Sequence, residues 1–203
     1  MAGETAPSAE EERRSARQEQ VLDAAVELVR RRGFHGASMA ELAKTAGMSV
    51  GHIYHYFENK EAIVAAIVAR DLERVLGIME SFQQRGGDLY DVMVDEVDRG
   101  YDDTRRVEET ALLLEIYAEA ARNPKVAKMV KDADTISRSK LRDLMIAGRK
   151  QKVPWSAEEL EARVEVIIAL FEGLQLRALR DHDVSRDAML RSLRRVVRQL
   201  LED

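Results

Sequence analysis

Two imidazoles, two phenols, a hydroxyl and an ammonium group crowd one short stretch of the chain: His52, His55, Tyr54, Tyr56, Ser49 and Lys60. Overlapping it, Gly47-Met48-Ser49-Val50-Gly51 fits the G-x-S-x-G pattern of a hydrolase nucleophile elbow. That chemistry needs a buried strand leading into the serine and an acid–base pair to activate it. Here a capped amphipathic helix precedes Ser49 and no such pair is evident, so no catalytic residue is assigned. His35 and His182 read as surface or loop histidines, and no histidine–carboxylate set falls at metal-ligand spacing. Cysteine is absent, which removes disulfides and thiolate chemistry. No metal and no cofactor are expected.

The elements that hold these side chains can be read position by position. Ser38 and Glu41 form a capping box that starts a helix, along which Met39, Leu42, Ala43 and Ala46 make one apolar stripe. Gly47 ends it, because glycine enters the left-handed region cheaply. Ser49 caps the next helix, which Ile53 and Phe57 anchor, leaving Val50, Gly51, His52, His55 and Tyr56 outward. Asn59 caps a third. Two short helices around a tight turn form a helix-turn-helix, which places a few side chains in the DNA major groove.

At 203 residues the chain holds a modest domain with a small one appended. With only three prolines and abundant Ala, Leu, Glu and Arg, it favours helix almost throughout. The net charge of −5 is unlike a nucleic-acid binder until it is resolved by segment. From Arg13 to Lys60 there are eight basic against five acidic residues, a local balance of +3, although Arg30-Arg31-Arg32 also fits a solvated helix end. No apolar run approaches a membrane span and no signal peptide is visible, which points to the cytoplasm.

Breakers and periodicity predict an all-α chain of about nine helices. Residues 1–12 read as a disordered leader, within which Ser8 and Glu11 could cap the first helix. A helix-turn-helix domain over 13–62 precedes a larger helical domain over 63–203. The latter comprises helices near 60–84, 88–102, 106–122, 125–149, 157–181 and 186–201, with breaks at Gly86-Gly87, Asn123-Pro124 and Pro154 and caps at Ser156 and at Asp183 or Ser185. The last two helices carry apolar sectors wider than one packing contact needs, which suggests a face for a second copy.

Residues from about 17 to 65 resemble the DNA-binding domain of the tetracycline-repressor (TetR) family. The resemblance rests on Gln20–Val29, the exit Arg32-Gly33-Phe34, the helix-turn-helix above, and above all Ile53-Tyr54-His55-Tyr56-Phe57-Glu58-Asn59-Lys60-Glu61. The rest of the chain is similar to the family in layout, and Glu115–Pro124 resembles ligand-binding regions of several subgroups. The resemblance implies base contacts from Val50, Gly51, His52, His55 and Tyr56, with His52 foremost. It implies phosphate contacts from Ser38, Ser49, Tyr54 and Lys60. It also implies a homodimer on a palindromic operator, with interface residues among Val164, Ile168, Phe171, Gly173, Leu193, Val197 and Leu200.

An effector pocket is expected among Met93, Val97, Tyr101, Leu113, Tyr117, Met129, Trp155, Phe171 and Gln175, an apolar and aromatic set with few polar groups. The function implied is a transcriptional repressor released from its operator by a small hydrophobic or aromatic molecule, the long helix near 60–84 acting as lever. The alternative is a DNA-binding adaptor of the same fold, acting in chromosome or division control, whose partner is another protein and which takes no effector. An enzyme is not expected.

Overall fold

The computed structural model describes residues 8–149, 153–180 and 184–202, with ten helical segments among them. His182, the possible cap Asp183, the leader before residue 8 and the side chain of His35 lie outside the described residues. The helices group into two compact units. The first runs to Ala69 and takes in Leu112–Val130; the second holds Arg70–Ala111 and the chain from Lys131 onward.

In the first unit, α1 spans Ala9–Gly36. It begins earlier than the expected end of the leader, because the Ser8 amide donates to Glu11 (2.7 Å) while the Glu11 amide donates to the Ser8 hydroxyl. Glu10, Glu11 and Glu12 thus form a first helical turn, where carboxylates oppose the positive end of the helix dipole. Gly33 leaves the helical region with φ 71° and ψ 166°, bending the exit. Helices α2 (Met39–Thr45) and α3 (Val50–Tyr56) follow, separated by Gly47 at φ 63°. The Ser38–Glu41 capping box and the Ser49 cap form as the spacing predicts. Val21, Leu22, Ala25, Leu28, Leu42, Ala43, Ile53 and Phe57 close one core with Ile63, Val64 and Ile67 of α4 (Lys60–Gln84). Ile53 is fully buried at 0% exposure, worth about 1.5–3 kcal/mol.

The second unit contains α5 (Leu89–Asp95), α6 (Val97–Thr104), α9 (Ala157–Ala178) and α10 (Arg186–Glu202). It also holds parts of α4, of α7 (Val107–Ala120) and of α8 (Pro124–Gly148). The single helix expected near 88–102 is interrupted at Glu96, whose backbone flattens to ψ −8° while Arg85 and Arg99 pair with its carboxylate. At Gly100 a Cβ would lie 2.8 Å from the Phe171 ring, so only glycine lets α6 and α9 approach this closely. The core runs through Tyr90, Met93, Val97, Tyr101, Leu144, Met145, Val164, Ile167, Leu190, Leu193, Val197 and Leu201.

That core corrects three expected interface residues. Val164 (0% exposed), Leu193 (4%) and Val197 (4%) fill the protomer's own interior, leaving no area for a partner. On α9 the outward apolar line is instead Ala162, Val166, Ala169, Gly173 and Leu176, recurring every three or four residues on the side opposite Val164, Ile167 and Phe171. Ile168, Phe171 and Leu200 stay half-buried, and apart from its chain neighbours and its own helix backbone nothing lies within 4 Å of the place a Cβ would take on Gly173.

Candidate nucleic-acid interface

Helix α3 is a rigid platform for its outer side chains. The Ser49 hydroxyl accepts the His52 amide at 3.2 Å, fixing the first turn, and Ile53 and Phe57 root the helix in the core. Gly51, His52 and His55 are exposed, as are Val50 (37%) and Tyr54 (51%). Tyr56 differs, since its ring packs against the core while its hydroxyl lies 3.2 Å from His52 Nε2. His55 meets the Tyr56 ring edge-on, with centroids 5.2 Å apart. The outward set expected from sequence is therefore brought together on one small helix, with Tyr56 half inside.

Lys60 is engaged within the first unit. Its ammonium donates to the Phe34 carbonyl and sits 4.2 Å from the Phe34 ring centroid. Burial pushes its pKa below the ordinary lysine value, opposed by the nearby carboxylates of Glu119 and Glu61. In the free protein the long stem folds the cation back onto the α1 exit, so the residue expected to grip phosphate makes an internal tie there. Ser38 is also engaged, because its hydroxyl donates to Glu41 (3.1 Å) while accepting the Glu41 amide. In the basic run, Arg31 pairs with Glu27 and Arg32 with Glu41, which favours the solvated-helix-end reading for those two. Lys44 is exposed in the last turn of α2.

Sequence reasoning missed the groups that aim this platform. The Glu115 carboxylate of α7 accepts the Phe34 amide at 3.0 Å, and Gly33 makes room, since a Cβ there would lie 3.0 Å from the same carboxylate oxygen. Phe34 is therefore held on both backbone faces, by Glu115 at its N–H and Lys60 at its C=O. The Gln20 side chain donates to the Ala46 carbonyl at 2.8 Å, tying α1 to the end of α2. No local pattern announces a bond across 81 residues.

The expected effector lining is divided. Met93, Val97 and Tyr101 are buried in the second core with Trp155 and Phe171 against it, and Gln175 lies half-buried one turn beyond Phe171 on α9. Leu113, Tyr117 and Met129 belong to the first unit, where Tyr117 is exposed. Trp155 also has another task. The Arg149 guanidinium stands 3.9 Å from its ring centroid and that of Arg163 5.0 Å, and both donate to the terminal carbonyls of α10.

Two family models match the chain: "Bacterial regulatory proteins, tetR family" over residues 21–67, and "BetI-type transcriptional repressor, C-terminal" over 94–202. The chain belongs to the TetR family. Its described residues carry the family's all-helical fold. The HTH-type transcriptional regulator UidR of Escherichia coli K12 is 38% identical over 114 residues, covering 55% of this chain and 56% of that protein. The chain thus aligns with little more than half the length of that curated relative. Salmonella enterica GusR superposes with a TM-score of 0.74 at 26% identity, over 93% of this chain and 96% of that one. FadR from Bacillus subtilis in complex with stearoyl-CoA gives a TM-score of 0.73 at 19% identity, over 90% and 96%. Among the described residues no helix is long and apolar enough to cross a membrane.

Proposed function

We propose that this TetR-family regulator is a homodimeric cytoplasmic repressor that reads a palindromic operator with paired α3 helices. A small apolar or aromatic effector would release it. The observation that carries the reading is α3 itself: a capped, core-rooted helix exposing Val50, Gly51, His52, Tyr54 and His55 on one rigid platform. Base contacts fall to Val50, Gly51, His52 and His55, while Ser49, Tyr54 and the α2 end near Ser38 lie towards the backbone.

Pairing of copies is supported by the outer line of α9, Ala162, Val166, Ala169, Gly173 and Leu176, flanked on α10 by half-buried Met189 and Leu200 and exposed Val196. Effector binding is supported by the kind of core in the second unit, where flexible Met93 and Met145 border Tyr101 and Phe171 and can repack around a guest. Helix α4 continues unbroken through residues of both units, which suits a lever. The FadR relative holds stearoyl-CoA, which makes long-chain acyl compounds a first effector class to try.

The test is selection of bound fragments from sheared genomic DNA, followed by affinity measurement on the selected and scrambled duplexes. A repeated inverted half-site, bound at least a thousandfold more tightly than its scramble, is the expected result. Equal binding to both sinks the proposal.

A further inference from the structure

One turn of α3 separates His52 from Tyr56, and the two side chains form a pair: imidazole Nε2 lies 3.2 Å from the phenol oxygen, with ring centroids 5.3 Å apart. The partners are not equivalent. Tyr56 packs its ring against the core of the first unit and meets His55 edge-on, whereas His52 is exposed. The phenol is therefore the fixed member and the imidazole the one that adapts. Only Nε2 is engaged; Nδ1 has no protein partner among the described residues.

A neutral imidazole has one proton for two nitrogens, so whatever Nε2 does decides what Nδ1 can offer. A phenol hydroxyl is a stronger acid than an imidazole N–H, and an imidazole nitrogen is a stronger base than a phenol oxygen. The favoured arrangement thus has the Tyr56 O–H donating and His52 Nε2 accepting, which leaves the proton on Nδ1. An unconstrained histidine side chain in water prefers the other tautomer. In the major groove, guanine presents acceptors at O6 and N7, adenine at N7 and thymine at O4, whereas cytosine presents only its N4 donor. Nδ1–H can bond the first three edges and has nothing to bond on cytosine.

We propose that Tyr56 is a specificity-determining residue that acts through His52, fixing its tautomer so that Nδ1–H selects an acceptor-bearing base, guanine foremost, and rejects cytosine. This rests on the reading of α3 as the operator-reading helix. It separates Tyr56 from the residues that face bases directly, because its own hydroxyl is committed to His52.

Full-length wild type, H52A, Y56F and the double variant would be compared on an operator selected from a randomised duplex library, with all four bases tested at each position. Y56F keeps the ring that packs on the core, so the fold is retained. Ring-nitrogen NMR correlations would read the His52 tautomer in wild type and Y56F. The expected wild type carries its proton on Nδ1, and Y56F shifts it towards Nε2. Y56F should lose about three- to tenfold of the discrimination at one position, the net worth of one hydrogen bond. H52A should lose it at the same position, with nothing further lost in the double variant and scrambled duplex bound as before.

A wild-type proton on Nε2, or unchanged base preference in Y56F beside a changed one in H52A, overturns this proposal and leaves the regulatory reading standing. No base preference in the wild type overturns both.

Discussion

Replacing Lys60 by alanine removes a cation held over the Phe34 ring and bonded to the Phe34 carbonyl. The expected outcome is a stability loss of about 1–2 kcal/mol in urea unfolding, with the salt dependence of DNA binding unchanged. A lysine gripping phosphate would instead flatten that dependence by about one counterion. Glu115→Ala leaves the part-buried Phe34 amide without its acceptor, at a cost of about 1–3 kcal/mol, and Glu115→Gln should recover most of it because an amide oxygen also accepts. These two residues mark where sequence legibility stops. Ser38, Ser49 and Asn59 could be read as caps because each bonds within three residues of itself. The direction of a flexible ammonium, or the docking of a distant carboxylate, has no local signature.

Between elements, α10 is laced to α5 and α6 by three ion pairs: Arg198 with Asp91 (2.8 Å), Arg194 with Asp98 (2.6 Å) and Arg186 with Asp102 (2.6 Å). They are largely exposed, so each is worth at most about 1 kcal/mol and is screened by salt. The Arg186 hydrogen bond holds the Asp102 carboxyl below its ordinary value of 3.8. With its folded pKa depressed, Asp102 contributes stability that is complete above the ordinary value and lost as pH falls through the folded one. Acid titration of the melting temperature should therefore show a wild-type decline below about pH 4 that is smaller in Asp102→Asn. Gly100→Leu should destabilise by about 1–3 kcal/mol by driving a side chain into Phe171, with partial relief from Phe171→Leu. The placing of the helices was legible from caps and breakers, apart from the early start of α1 and the interruption at Glu96. Which side of α9 faces inward was not, because both sides are apolar and periodicity alone cannot rank them.

For the whole molecule, the outer line of α9 carries the assembly prediction. Val166→Glu should convert the proposed dimer to a monomer in light scattering and reduce palindrome affinity more than half-site affinity. Thermal stability of a dilute sample should barely change, since Val166 is exposed in the protomer. Val164→Glu, one step inside, should abolish folding instead, because it places a charge in the core.

The unit that holds the helix-turn-helix is stitched from two stretches of chain, residues up to Ala69 and Leu112–Val130, and the Phe34 amide donates to Glu115 on the later one. On the ribosome, this unit must wait for the emergence of α7 and the start of α8 before its seam can shut. An early stop codon in the intervening stretch would release a polypeptide containing every outward side chain of α3 yet lacking the Glu115 clasp on the α1 exit.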